Sequence, residues 1–239
     1  MPFRPTWKLS RASLLAHALV LALTLALSGA ASAHRPLFPG PRAADPDSTI
    51  TIANPAVSHV IYIELTPETP HAWVRLENDR PRQVAVRLAV PEEPRRKLAA
   101  PVLVLFGPGL PDPPEELAVA PPQGTAGGAL TVIPTGPPEP FHEPVTGTRS
   151  RIVAKTQLRL PAAGTYLAAL YDAQGEEGKA WISLGQREGF RWRDIARLPG
   201  WIRDVRRFHE VPGLPTWAWI GVAGVVALGS VVGRALSRR

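Results

Sequence analysis

The sequence predicts a mainly β protein. An antiparallel β-sandwich of jelly-roll type would lie between two apolar runs, followed by an amphipathic juxtamembrane segment and one C-terminal transmembrane helix. Three observations predict this. Short runs of Val, Ile, Leu and Tyr alternate with polar residues across 48–188, and Pro, Gly and Asn/Asp punctuate them. An apolar run near each end contains no Asp, Glu, Lys or Arg. Basic residues alone flank the outer side of both runs.

Residues 1–33 read as a secretory signal peptide. Arg4, Lys8 and Arg11 form a basic start, 12–27 is mostly Leu and Ala, and Ala31-Ser32-Ala33 supplies small residues at a cleavage position. The alternative is an uncleaved anchor helix. The placing of A-x-A favours cleavage, which would make His34 the first residue of the mature chain. Residues 34–47 (HRPLFPGPRAADPD) are rich in Pro, Gly and Ala and predict an extended N-terminal arm.

The ectodomain is expected over 48–188. Strands are predicted at 48–53, 57–65, 72–77, 83–90, 102–106, 152–160, 165–171 and 179–184, with weaker ones at 117–120 and 129–133. Asn54-Pro55, Asn78-Asp79-Arg80-Pro81 and Gly107-Pro108-Gly109 supply turns between them. About ten short strands with no helical period indicate a sandwich. The chain has no Cys, so neither disulfides nor thiolate metal sites are expected. A domain of this length buries enough core to fold without them.

The last three strands carry a resemblance. The run from Leu158 through Pro161-Ala-Ala-Gly-Thr-Tyr166 to Tyr171, then Gly175 and Gly178-Lys-Ala-Trp-Ile-Ser-Leu-Gly185, resembles the end of bacterial pre-peptidase C-terminal (PPC-like) sandwich domains. Val60-Ile-Tyr-Ile-Glu-Leu65 and Val102-Leu-Val-Leu-Phe-Gly-Pro-Gly109 suit earlier strands of that fold, while 108–148 departs from it. The whole layout also resembles bacterial signal-peptide-bearing, C-terminally membrane-anchored proteins with such an ectodomain. The residues concerned are His34-Arg-Pro-Leu-Phe38, Phe141-His-Glu-Pro-Val-Thr-Gly-Thr148 and the closing glycine–glutamate–phenylalanine pattern. That resemblance implies a shared fold and location, and no activity.

Residues 189–213 change character. Trp192, Ile195, Leu198, Trp201, Ile202, Val205 and Phe208 recur every three or four residues, with arginines at other positions. Two short amphipathic helical pieces are expected, interrupted at Pro199-Gly200. They could pack on the sandwich or lie on the membrane with Trp192 and Trp201 at the interface and arginines at lipid phosphates. Closeness to the anchor favours the second. The transmembrane helix is placed at 214–233. Its uncharged stretch, 216–233, would span roughly 27 Å as a helix, near the ~30 Å of a bilayer core. Trp217 and Trp219 would sit at its outer edge, and Arg234, Arg238 and Arg239 would keep the tail, 234–239, in the cytoplasm. Gly229 and Gly233 are spaced for close helix approach, but small residues are common in such spans.

The formal charge of +7 follows from this topology. Setting aside the three basic residues at each end leaves 21 basic against 20 acidic residues, a net of +1. A nucleic-acid binder should carry its excess on the folded domain, so nucleic acid is not an expected partner.

No G-x-S-x-G, H-E-x-x-H or P-loop occurs. Two features could carry chemistry. Cleavage before His34 would place an α-amino group beside its imidazole, a pair of nitrogens suited to copper, with His142 as the best second imidazole and His59, His71 and His209 as further possibilities. The ordinary reading of His34 is a residue of the arm. Phe141, His142, Glu143, Thr146 and Thr148 form the other unusual stretch: a ligand-binding loop, or, as favoured here, a structural crossing between sheets. The expected function is a membrane-anchored extracytoplasmic binding module without catalytic activity and without a cofactor. Its partners would be membrane lipid and an envelope protein or glycan. The alternative is a copper-binding or other metal-binding envelope protein.

Overall fold

The computed structural model describes residues 34–92, 98–114, 117–125, 127–187, 189 and 192–215. The predicted signal peptide, the tail and all of the predicted span beyond residue 215, with Trp217 and Trp219, lie outside the described residues. So does the side chain of Trp192. Among the described residues no helix is long and apolar enough to cross a membrane. Residues 34–212 fall in one compact unit.

Eleven strands make up most of it: β1 (Arg35–Leu37), β2 (Thr51–Ile52), β3 (His59–Leu65), β4 (His71–Asn78), β5 (Arg82–Pro91), β6 (Pro101–Gly107), β7 (Gly128–Val132), β8 (Glu139–Glu143), β9 (Thr148–Leu160), β10 (Gly164–Asp172) and β11 (Gly178–Leu184). They form a six-stranded sheet in the order β1-β3-β11-β5-β9-β8 and a five-stranded sheet in the order β2-β4-β10-β6-β7. Both sheets are mixed, which corrects the expectation of a wholly antiparallel sandwich. β1 runs parallel to β3, and β2 parallel to β4. Between each pair the chain visits the opposite sheet, so it returns to its own sheet running the same way. All other pairings are antiparallel.

Period-two alternation places the core. On β3, Ile61, Ile63 and Leu65 face the second sheet and, with Ala180, Ile182 and Leu184 of neighbouring β11, meet its Val74, Leu103, Leu105 and Leu170. The alternate residues, Val60 and Tyr62, lie in a separate cluster with Trp181 and Ile152 on the outer face of the six-stranded sheet. Both outer faces are covered, which is why β6 and β11 are buried along their whole length. Val119 and half-buried Leu117 cover the five-stranded sheet at Trp73, Val104 and Phe106. Helix α1 (Leu198–Phe208) covers the other through Val205 and Phe208.

Several elements differ from expectation. The arm at 34–47 contains β1 and a 3₁₀ turn at Gly40–Ala44, whose Ala43 is buried in the core. Pro36 is tolerated in β1 because β1 is an edge strand. Residues 117–120 form no strand and act as cover. Pro199 and Gly200 do not interrupt a helix. They lie in the first turn of α1, where a proline has no amide bond to lose, and a 3₁₀ stretch at Trp192–Arg197 precedes them.

The turn before β10 shows why its sequence is specific. Tyr166 is fully buried, and its hydroxyl donates to the carbonyls of Pro108 (2.9 Å) and Ala162 (3.0 Å). Its ring packs against Gly107, leaving no room for a β-carbon there. Gly164 has φ of +140°, a backbone shape other residues rarely adopt.

Candidate functional site

The Phe141–Thr148 stretch is a hairpin end, formed by β8, a turn at 144–147 and the start of β9. Cross-strand partners are Phe141 with Ser150, His142 with Arg149 and Glu143 with Thr148. Alternation sends these pairs to opposite sides. Phe141 lies against Trp181, ring centroids 5.7 Å apart, and Ser150 is buried beside it. His142 and Arg149 are exposed.

The turn is held from several directions. The buried hydroxyls of Thr146 and Thr148 bond each other at 2.8 Å. Glu143 Oε1 accepts the Val145 N–H at 3.1 Å, and its carbonyl accepts the Gly147 N–H at 2.8 Å. Glu143 Oε2 is buried without a hydrogen bond among the described residues, and burial raises the pKa of this carboxyl. Arg206 of α1, only 6% exposed, donates to the carbonyls of Thr146 and Pro212, both at 2.6 Å.

A second lock lies beside the first. Trp181 Nε1–H donates to Ser150 Oγ at 2.9 Å. His209 Nδ1 lies 2.9 Å from the Val205 carbonyl and Nε2 lies 3.2 Å from Ser150 Oγ. A carbonyl can only accept, so Nδ1 carries the proton, and the Ser150 hydroxyl donates to Nε2. This neutral imidazole is 2% exposed, and its burial lowers the pKa to about 4. The chain Trp181–Ser150–His209–Val205 therefore ties the sheet to the helix end with each polar group satisfied.

His34 lies elsewhere. Its Nδ1 meets the Ser58 hydroxyl, and Arg35 pairs with buried Asp194 at 2.9 Å. Phe38 stacks on Tyr62 at 4.9 Å, and Phe208 meets Tyr62 edge-on at 5.0 Å. β1 and β8 form opposite edges of the six-stranded sheet. Five strand spacings separate them, about 24 Å along the sheet. They are offset lengthwise too: Arg35 is level with His59, Leu184, Val86 and Thr156, whereas His142 is level with Arg149. The structure does not bring His34 and His142 together. Among the described residues no group of three His, Asp or Glu side chains is placed to hold a metal.

Of the residues expected at a membrane interface, Trp201 is half-buried on the flank of α1. The face centred on Ile202, Val205 and His209 packs on the sheet, and Arg203 and Arg207 face solvent. A depression of about 270 Å³ lies beside the hairpin, lined by Glu92, Pro140, Phe141, His142 and Arg149. Sequence reasoning missed Ser150, Trp181, Arg206 and His209 as one network. The alternation Arg149-Ser150-Arg151-Ile152 was the available signal that Ser150 turns inward.

No family model matches the chain, and no curated protein matches it. Among solved structures, the chain is similar to the pre-peptidase C-terminal domain of collagenase from Bacillus anthracis. The likeness is at 10% identity and TM-score 0.32, covering 56% of this chain and 91% of that one.

Proposed function

We propose that this chain is a membrane-anchored extracytoplasmic binding module, with a PPC-like sandwich and no catalytic activity. The observation that carries the reading is the double lock on α1. Arg206 and His209 fix the helix end to the sandwich, and five residues after His209 the predicted anchor begins. Five Cα steps reach at most about 18 Å. A domain so tethered works next to the bilayer, where lipid and envelope proteins or glycans are the available partners. The solvent-facing Arg203 and Arg207, which share Asp204, leave α1 with excess positive charge suited to anionic headgroups. The signal-peptide pattern and the arginine tail support the orientation.

The test is topology. Protease added outside spheroplasts carrying the full chain should digest the sandwich, and deleting 214–239 should release it from the membrane fraction. A sandwich protected from external protease until the membrane is broken would overturn the reading.

A further inference from the structure

We propose that the depression beside β8 binds an oxyanion carried on a sugar, a sugar acid or a sugar phosphate, through Arg149 and His142. This rests on the reading of the domain as a binding module and names its ligand class.

The first support is a charge balance that is left open locally. Arg206 is committed to the buried side of the turn, and among the described residues Arg149, Arg151 and Lys155, with the His142 imidazole beside them, stand near the rest of the hairpin. Glu92 pairs with Arg151 at 3.3 Å, and Glu139 pairs with Lys155. Glu143 is turned inward onto the Val145 amide. Among the described residues, Glu92 and Glu139 are thus engaged by other cations and Glu143 by a backbone amide through one oxygen, while Arg149 and His142 make no side-chain hydrogen bond or ion pair. They are direct cross-strand partners, so their β-carbons stand about 5 Å apart on one side of the hairpin. A guanidinium presents two parallel N–H groups to one oxyanion, and an imidazole adds a third donor in either charge state.

The second support is shape. The two donors lie in a depression of about 270 Å³, room for a sugar ring, bounded also by Pro140, Phe141 and Glu92, whose carboxylate is held by Arg151. Sites for small ligands pair such lining with a few placed polar groups. The third is preorganisation. The buried side of the same hairpin is fixed by Phe141 on Trp181, Ser150 on His209 and Arg206 on Thr146. The donors therefore stand on a frame that need not be ordered when a ligand arrives.

The full chain in detergent micelles would be titrated with glucuronate, glucose 1-phosphate, inorganic phosphate and glucose, following the backbone amides of the β8–β9 hairpin by NMR. Glucuronate, glucose 1-phosphate or both should bind with millimolar Kd, and which of them binds separates sugar acid from sugar phosphate. Glucose should not bind. Arg149→Gln should raise Kd at least tenfold with Tm unchanged, and His142→Gln should raise it several-fold. Binding of glucose as tightly as glucuronate would overturn the proposal. So would binding of inorganic phosphate alone, no response to either sugar anion at tens of millimolar, or retention of binding by the double variant. Failure here leaves the topology result standing, and failure of the topology test leaves these titrations unaffected.

Discussion

Acidification should loosen the attachment of α1, with His209 as the responsible group. The imidazole is neutral in the fold and 2% exposed, with a pKa near 4 against an ordinary 6.5. Burial disfavours the charged form, so the unfolded chain takes up the proton first. Stability from neutral His209 is complete above pH 6.5 and is lost as pH falls from there through 4. A gap of 2.5 units corresponds to about 3 kcal/mol at the acid limit, and to about 2 kcal/mol at pH 5. Glu143 works in the opposite direction: burial raises its pKa, so its protonation favours the fold as pH drops. A single curve would mix the two. Denaturant unfolding of the full chain and of His209→Gln, each at pH 7.5, 6 and 5, separates them. The parent should lose about 2 kcal/mol more than the variant between pH 7.5 and 5. Parallel curves would refute the assignment, as would an NMR titration placing the His209 pKa near 6.5.

Three other outcomes follow from the same geometry. Arg206→Gln should cost about 2–4 kcal/mol in urea unfolding, since the carbonyls of Thr146 and Pro212 lose a buried charged donor, and Arg206→Lys should not restore the fork. Tyr166→Phe should cost about 1 kcal/mol by removing the donor of the half-buried Pro108 carbonyl, the Ala162 carbonyl keeping Asn78, and Gly107→Ala should cost more because its methyl meets the Tyr166 ring; thermal unfolding measures both. Calorimetry with Cu(II) on a chain beginning at His34 should give the same affinity with and without His142→Ala, because the two imidazoles stand on opposite sheet edges.

The strands with two apolar faces or clean alternation were legible from sequence: β3, β5, β6, β10 and β11 differ from expectation by only one or two residues at either end. β1 and β8 were not. Each contains a proline, Pro36 or Pro140, and each is made a strand by one neighbour across an edge. The 117–120 run is apolar enough for a strand yet meets no partner edge, and its side chains serve as a lid on Trp73 and Phe106. The helical period of α1 was legible, but not what it faces. An apolar stripe has the same spacing whether it meets lipid or a sheet, and only tertiary contacts with Tyr62 and Trp181 decide it. For the same reason Arg206 and His209 read as part of a polar helix face, although they are its buried fastenings.

The strand order has a consequence for when this domain can form. β10 sits between β4 and β6, and β11 between β3 and β5. The last two strands of the chain are thus the inner partners of strands completed long before them. Until β10 has emerged, at residue 172, nothing bridges β4 and β6, and until β11 has emerged, at residue 184, nothing bridges β3 and β5. Vectorial folding from the N-terminus has no stable stopping point, since every earlier intermediate is a pair of half-sheets with open apolar edges. The domain therefore cannot close until both of these late strands are available. Truncations ending before Gly164 should therefore aggregate rather than leave a smaller domain.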